Sequence, residues 1–179
     1  MSVYEFEGRV PQVHPEAFVH PEASLLGRVT IGEGCWIGPG ASLRGDYGEI
    51  VVGSGTSIEE NCVVHARPGD VTRIGDHVTI GHGAIIHNAT VDDWAVIGMG
   101  AIVSDWAHVM EWAAVAEGCV VKNRQEIPPK AVAVGVPAKV IGQVTPEYQE
   151  EWRNFKATYV DLARRYPKGL KELPVPSVP

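Results

Sequence analysis

An aliphatic residue recurs at every sixth position along most of the chain, usually with a glycine close behind it. The first run is Val13, Val19, Leu25, Ile31, Ile37 and Leu43. Two shorter runs follow, Val52, Ile58, Val64 and Ile74, Ile80, Ile86, and the last goes from Val91 through Ile97, Val103, Val109 and Val115 to Val121. Four residues after most of these stands a small side chain, among them Ala23, Cys35, Ala41, Cys62, Ala84, Ala95 and Cys119. An α-helix cannot use this period, because six residues advance roughly one and two-thirds turns and scatter the aliphatics around the helix. A unit of short strand plus turn can use it, turning one large and one small apolar side chain inward. Three such units close a triangular coil, and successive coils stack by parallel pairing about 4.8 Å apart.

Breaks in the period mark the corners. Leu43 and Val52 are too far apart, as are Val64 and Ile74, so short loops are expected at Asp46–Ile50 and Ala66–Arg73. Beyond Gly142 the pattern changes. Thr145 is a helix N-cap with Pro146 at the first helical position, and Pro167 with Gly169 ends the segment. Tyr148, Trp152, Phe155, Tyr159, Leu162 and Tyr166 recur at helical spacing and predict an amphipathic helix lying back on the coils or on a neighbouring subunit. The division is therefore residues 1–142, a β-helix, and 143–179, a C-terminal helix with a short extended tail. The tandem repeat resembles the hexapeptide repeat of left-handed parallel β-helices. The resemblance supplies the hand and a mainly β fold with a C-terminal α-helix.

Composition narrows the function. The 179 residues carry 15 Lys+Arg against 22 Asp+Glu, a net charge of −7, which argues against a nucleic-acid partner. No apolar run approaches a membrane span, and the N-terminus lacks the basic start and apolar stretch of a secretory signal. Cys35, Cys62 and Cys119 fall in the small inward slot and read as buried unpaired thiols, which suits a reducing, cytoplasmic setting.

The repeat also acts as a ruler for chemistry. Leu43, Val64 and Ile86 share one face, one coil apart, so the residues after them, Arg44, His65 and His87, form an outward-pointing column. Two imidazoles one coil apart can share a metal ion with bonds of about 2.0–2.1 Å. His82 lies at matching height but around the corner. In a threefold homotrimer, His82 of one subunit meets His65 and His87 of the next, giving one shared site per interface. His14, His20, His77 and His108 read as solvated surface residues. Trp94 and Trp112 fall on one face a coil apart, with His77 one coil before, and Trp106 lies on another face. They read as an aromatic strip for a ligand or as packing beneath the terminal helix.

Several motifs carry a family resemblance. Arg44–Asp46, the segment TSIEENCVVH ending at His65, GHGAIIH from Gly81 to His87, GMGAIV at Gly98–Val103 and VGVPAKVI before the helix resemble γ-class carbonic anhydrases. That resemblance implies a homotrimer with Zn²⁺, or Fe²⁺ or Co²⁺, held by His65, His87 and a neighbour's His82. It implies reversible hydration of CO2 to bicarbonate by water ionised on the metal near neutral pH. Arg44 and Asp46 would form an interface ion pair that orders the site, and Glu60 would pair across the interface. Glu59 stands where the family usually has Gln, and its charge would oppose ionisation of the bound water or let it act as a base. Tyr159 resembles a helix tyrosine near the pocket. Tyr47 and Pro68 stand where a proton-relaying carboxylate would serve the fullest active members. The alternatives are an acyl-CoA thioesterase-type metallo-hydrolase, a hexapeptide acyltransferase and a non-catalytic trimeric scaffold.

Overall fold

The computed structural model describes residues 2–174. Their strands are mostly two or three residues long and pair in parallel with the strands one coil before and after, forming a three-sided β-solenoid of about seven turns. The inward aliphatics stack into three vertical ladders. Leu43 pairs with Val64, Val64 with Ile86, Ile86 with Val103 and Val103 with Val121. Ile58, Ile80, Ile97 and Val115 form the second ladder, and Val52, Ile74, Val91, Val109 and Ile127 the third. The small slots, including Ala84, Ala95 and Ala101, close the space between ladders, and all three are fully buried. Cys35, Cys62 and Cys119 are buried and unpaired, and burial pushes the Cys35 thiol up to about 11 and that of Cys62 up to about 12.

The corners require a left-handed backbone, and this protein often supplies it without glycine. His77, Trp94 and Trp112 have φ of +56°, +61° and +60°. Their rings compensate by stacking one above another, His77 on Trp94 at 4.4 Å and Trp94 on Trp112 at 4.9 Å between ring centroids. The guanidinium of Arg153, on the C-terminal helix, lies 5.1 Å from the centre of the Trp112 ring. The strip is thus a stacked corner post partly covered by the helix, and His77 belongs to it rather than standing free in solvent. His108 is likewise engaged, with Nε2 2.7 Å from Asp92.

Asp46–Ile50 is not a loop. Ser42–Val52 is one continuous strand that pairs with Ser24–Ile31 below it and with Val71–Ile74 above. The pairing slips between Gly27 and Val29, which absorbs the extra residues of the longer strand inside the ladder. Gly27 and Gly45 cross so closely there that a Cβ on Gly27 would sit 2.4 Å from the Gly45 carbonyl oxygen. At the second break Ala66–Asp70 does leave the coil, and the chain rejoins it as a strand at Val71.

The last coil is covered by Lys139–Gln143, which runs antiparallel to Ala131–Val134 and leaves its own side chains exposed. The boundary expected at Gly142 falls inside this strand. Helix α1 (Pro146–Gly169) follows, with the Thr145 hydroxyl accepting from the Tyr148 amide at 3.2 Å. Tyr159, Leu162 and Tyr166 pack against Phe18, Trp36 and Ala163. Phe155, placed on the apolar face by its spacing, is half exposed. The most deeply buried side chain of the helix is instead Lys156, at 2% exposure, donating to Ser57 Oγ at 2.5 Å and to the Val78 carbonyl at 2.7 Å. Of the tail, residues 175–179 lie outside the described residues.

Two outcomes follow. Ile80→Ala opens a cavity in a ladder with neighbours above and below, and is expected to lower stability by about 2–5 kcal/mol in urea unfolding monitored by circular dichroism. Burial lowers Lys156 to about 7 against the opposing pull of Glu59. The unfolded lysine titrates at about 10.4, so between those values the unfolded chain holds a proton the folded chain lacks. The lysine's contribution to stability therefore rises with pH through that window and is flat below it. Subtracting the stability–pH curve of Lys156→Met from that of the parent protein should leave this rise.

Candidate functional site

The column read from the spacing forms as paired neighbours: Arg44 pairs with His65 and His65 with His87 across adjacent coils. His65 Nδ1 lies 3.1 Å from His87 Nε2. The outer nitrogen of each ring meets a carboxylate, His65 Nε2 at 3.2 Å from Asp46 Oδ1 and His87 Nδ1 at 2.7 Å from Asp105 Oδ1. A carboxylate accepts only, so each outer nitrogen carries the proton and each inner nitrogen presents a lone pair. Two lone pairs aimed at one another across 3.1 Å repel unless a cation or proton lies between them. Burial, against the opposing pull of Asp46, holds the His65 imidazole below its usual pKa, which favours the neutral, ligating form. The donors and their spacing fit Zn²⁺, since ligands at about 2.0–2.1 Å from one ion and about 100° apart are separated by this distance.

The surrounding charges are built from the same strands. Arg44 bonds Asp46 at 2.5 Å within one chain, where the expectation was an ion pair across an interface. Burial pushes the Asp46 carboxyl up, but bonds from Arg44 and His65 outweigh it and hold its pKa below the ordinary value. Asp105 takes a two-pronged bond from Arg67, Nε at 2.6 Å and a terminal nitrogen at 3.0 Å, and with His87 this draws its pKa down to about 2.

His82 stands apart from this pair. Its Nε2 is 3.1 Å from Glu59 and its Nδ1 bonds Glu60 of the same chain. Among the described residues, Glu59, Glu60 and His82 are the one group of three such side chains whose ligating atoms converge. Glu59 is buried and His82 half exposed. Both line a cleft of about 280 Å³ between the solenoid and α1, with Trp152, Phe155, Lys156 and Tyr159 on its helix side. Tyr159 packs its ring on Trp36 at 5.4 Å, and burial together with Glu59 raises its hydroxyl pKa. The protein thus brings together His65, His87, Arg44 and Asp46 in one place and Glu59, His82 and Tyr159 in another.

Sequence reasoning missed Asp105, Arg67 and Lys156. The ruler held a signal for Asp105: it follows Val103, directly above Ile86, by two positions, so it lies within reach of His87. Arg67 sits on the excursion after His65, where the period offers no register, and Lys156 occupies a helix whose seat on the solenoid the repeat does not encode.

No protein-family model matches the chain. It is 41% identical over 173 residues to the carnitine operon protein CaiE of Salmonella typhimurium, covering 96% of this chain and 87% of that protein. Among solved structures it is similar to a hexapeptide transferase family protein of Anaplasma phagocytophilum, at 35% identity and TM-score 0.88 over 92% of this chain and 98% of that one. A Bacillus cereus protein described as a candidate acetyltransferase superposes with TM-score 0.90 at 30% identity, covering 92% and 96% of the two chains. With its left-handed parallel β-helix and 41% identity to CaiE over nearly its full length, this chain belongs to the CaiE family of hexapeptide-repeat proteins.

Proposed function

We propose that the protein is a metal-dependent, γ-carbonic-anhydrase-like enzyme that hydrates CO2 to bicarbonate reversibly in a homotrimer. The observation that carries this reading is the pair of inward lone pairs on His65 and His87, each fixed by a carboxylate on the opposite nitrogen. His82 converges with Glu59 and Glu60 rather than with them within its own chain, so in the proposed trimer a neighbouring subunit would supply the third imidazole. Zinc held by His65, His87 and a neighbour's His82 would make a nucleophile available from water near neutral pH, and Fe²⁺ or Co²⁺ could use the same donors. The chain's own groups do the rest. Asp46 and Asp105 hold the two rings, and Arg44 holds Asp46. Glu59, buried in the lining of the cleft beside His82, would accept a proton from water.

A second reading, acyl transfer, is favoured by the solved relatives described as transferases and by the cleft itself. Its aromatic and aliphatic lining beside His82 exceeds what CO2 needs. There His82, turned from one of its two carboxylates so that a ring nitrogen is free, would be a general base that needs no metal.

Purified protein supplied with zinc is expected to hold one ion per chain by elemental analysis and to hydrate CO2 in stopped-flow assays. Removing the ion with a chelator should abolish that activity. Activity toward acyl-CoA that survives chelation would instead establish the second reading. His82→Ala should leave a trimer by light scattering yet lose zinc and lower CO2 hydration by at least about 100-fold, more than the loss of an outer partner causes. An unaltered rate would exclude His82 from the site. Glu59→Gln removes a negative charge that opposes water ionisation, so the pH–rate profile should move to lower pH.

A further inference from the structure

We infer that Asp105, clamped by Arg67, is a positioning residue that sets the tautomer of His87. The inference rests on reading His65 and His87 as ligands, but its first test does not. A neutral histidine side chain in water favours the proton on Nε2, which would block the inner nitrogen of His87. Asp105 Oδ1, 2.7 Å from Nδ1, holds the proton on the other side of the ring. For this the carboxylate must stay in place and ionised, and Arg67 grips both of its oxygens.

Arg67 reaches that position because the excursion after His65 is itself tied down. Its backbone amide donates to Asn88 Oδ1 at 3.0 Å, and Asn88 Nδ2 donates to Asp70 at 3.0 Å. Trp106 Nε1 donates to the same Asp70 oxygen at 3.2 Å. The Asn88 amide in turn bonds the His65 carbonyl at 2.9 Å, and the Trp106 amide bonds the Asn88 carbonyl at 2.7 Å. Arg124 lies over the Trp106 ring at 4.2 Å and Arg67 over it at 5.4 Å. The exposed Trp106 is therefore the outer plate of this brace, and the excursion carries Arg67 from one ligand coil to the coil above the other. His65 needs no such clamp, because Asp46 lies on the strand next to it and its partner Arg44 is paired with His65 in the ladder.

The test uses the full-length protein freed of metal. Nitrogen-15 NMR of the histidine rings should place the His87 proton on Nδ1 in the parent protein and shift it to Nε2 in Asp105→Ala. Unchanged tautomers in that variant would overturn the inference whether or not the parent protein binds metal. In zinc competition with a chromogenic chelator, Asp105→Ala should weaken binding about 10–100-fold, with an unchanged circular dichroism spectrum and oligomeric state. Arg67→Met, which leaves the carboxylate in place, should show a smaller loss and a mixture of tautomers. Where the parent protein binds zinc, equal affinity in all three proteins would also overturn the inference. A parent protein that binds no zinc but shows the expected tautomer change would remove the ligand reading and leave the positioning role standing.

Discussion

Parallel pairing at a fixed rise ties each residue to the one directly above and below it. Once Leu43, Val64 and Ile86 point inward in one ladder, the residues that follow them must project outward in one column. No loop conformation or helix rotation intervenes. The close approach of His65 and His87 is therefore set by the same force that buries the aliphatic ladder, and the imidazoles cannot drift apart without breaking core contacts. A site built this way is rigid before any ligand arrives, which is what an ion with demanding geometry requires.

Around that rigid pair the protein sorts its charges by distance. Carboxylates sit on the outer nitrogens of His65 and His87, leaving the inner ones free. His82 has carboxylates at both nitrogens, Glu59 on one and Glu60 on the other. An imidazole arranged like this must turn from at least one of them to bind an ion, so a trimer contact would have to draw it away from Glu59 or Glu60. Behind Glu59 the buried Lys156 anchors α1 to the solenoid through Ser57 and Val78, placing a titratable amine in the wall of the cleft. Helix and solenoid thus share an electrostatic boundary as well as an apolar one.

The ladders, the buried thiols, the histidine column and the helix cap were all legible in the sequence, because each depends on a period or a local rule. Asp46–Ile50 was misjudged as a loop because a break in a period has two physical solutions. The surplus residues can leave the coil, as Ala66–Asp70 do, or be absorbed by a register slip in a longer strand, as between Gly27 and Val29. Only the close passage of Gly27 and Gly45 distinguishes them, and that is a property of two coils together. Lys156 escaped notice for a related reason: an amphipathic pattern counts a lysine as solvent-facing, and its burial depends on two polar partners 78 and 99 positions away. Asp105 lies within reach of the ruler, two positions after Val103, but a period marks only its register and not its bond to the His87 ring.

The antiparallel strand Lys139–Gln143 has a consequence for particle size. A solenoid of identical coils has no intrinsic length: its terminal coil offers the same open row of amides and carbonyls that each inner coil offered its successor, so one molecule can template the next into a fibre. Reversing the chain direction on one side of the terminal coil puts a mismatched, lysine-bearing edge where another parallel strand would dock. Growth along the axis is thereby opposed on that side of the coil.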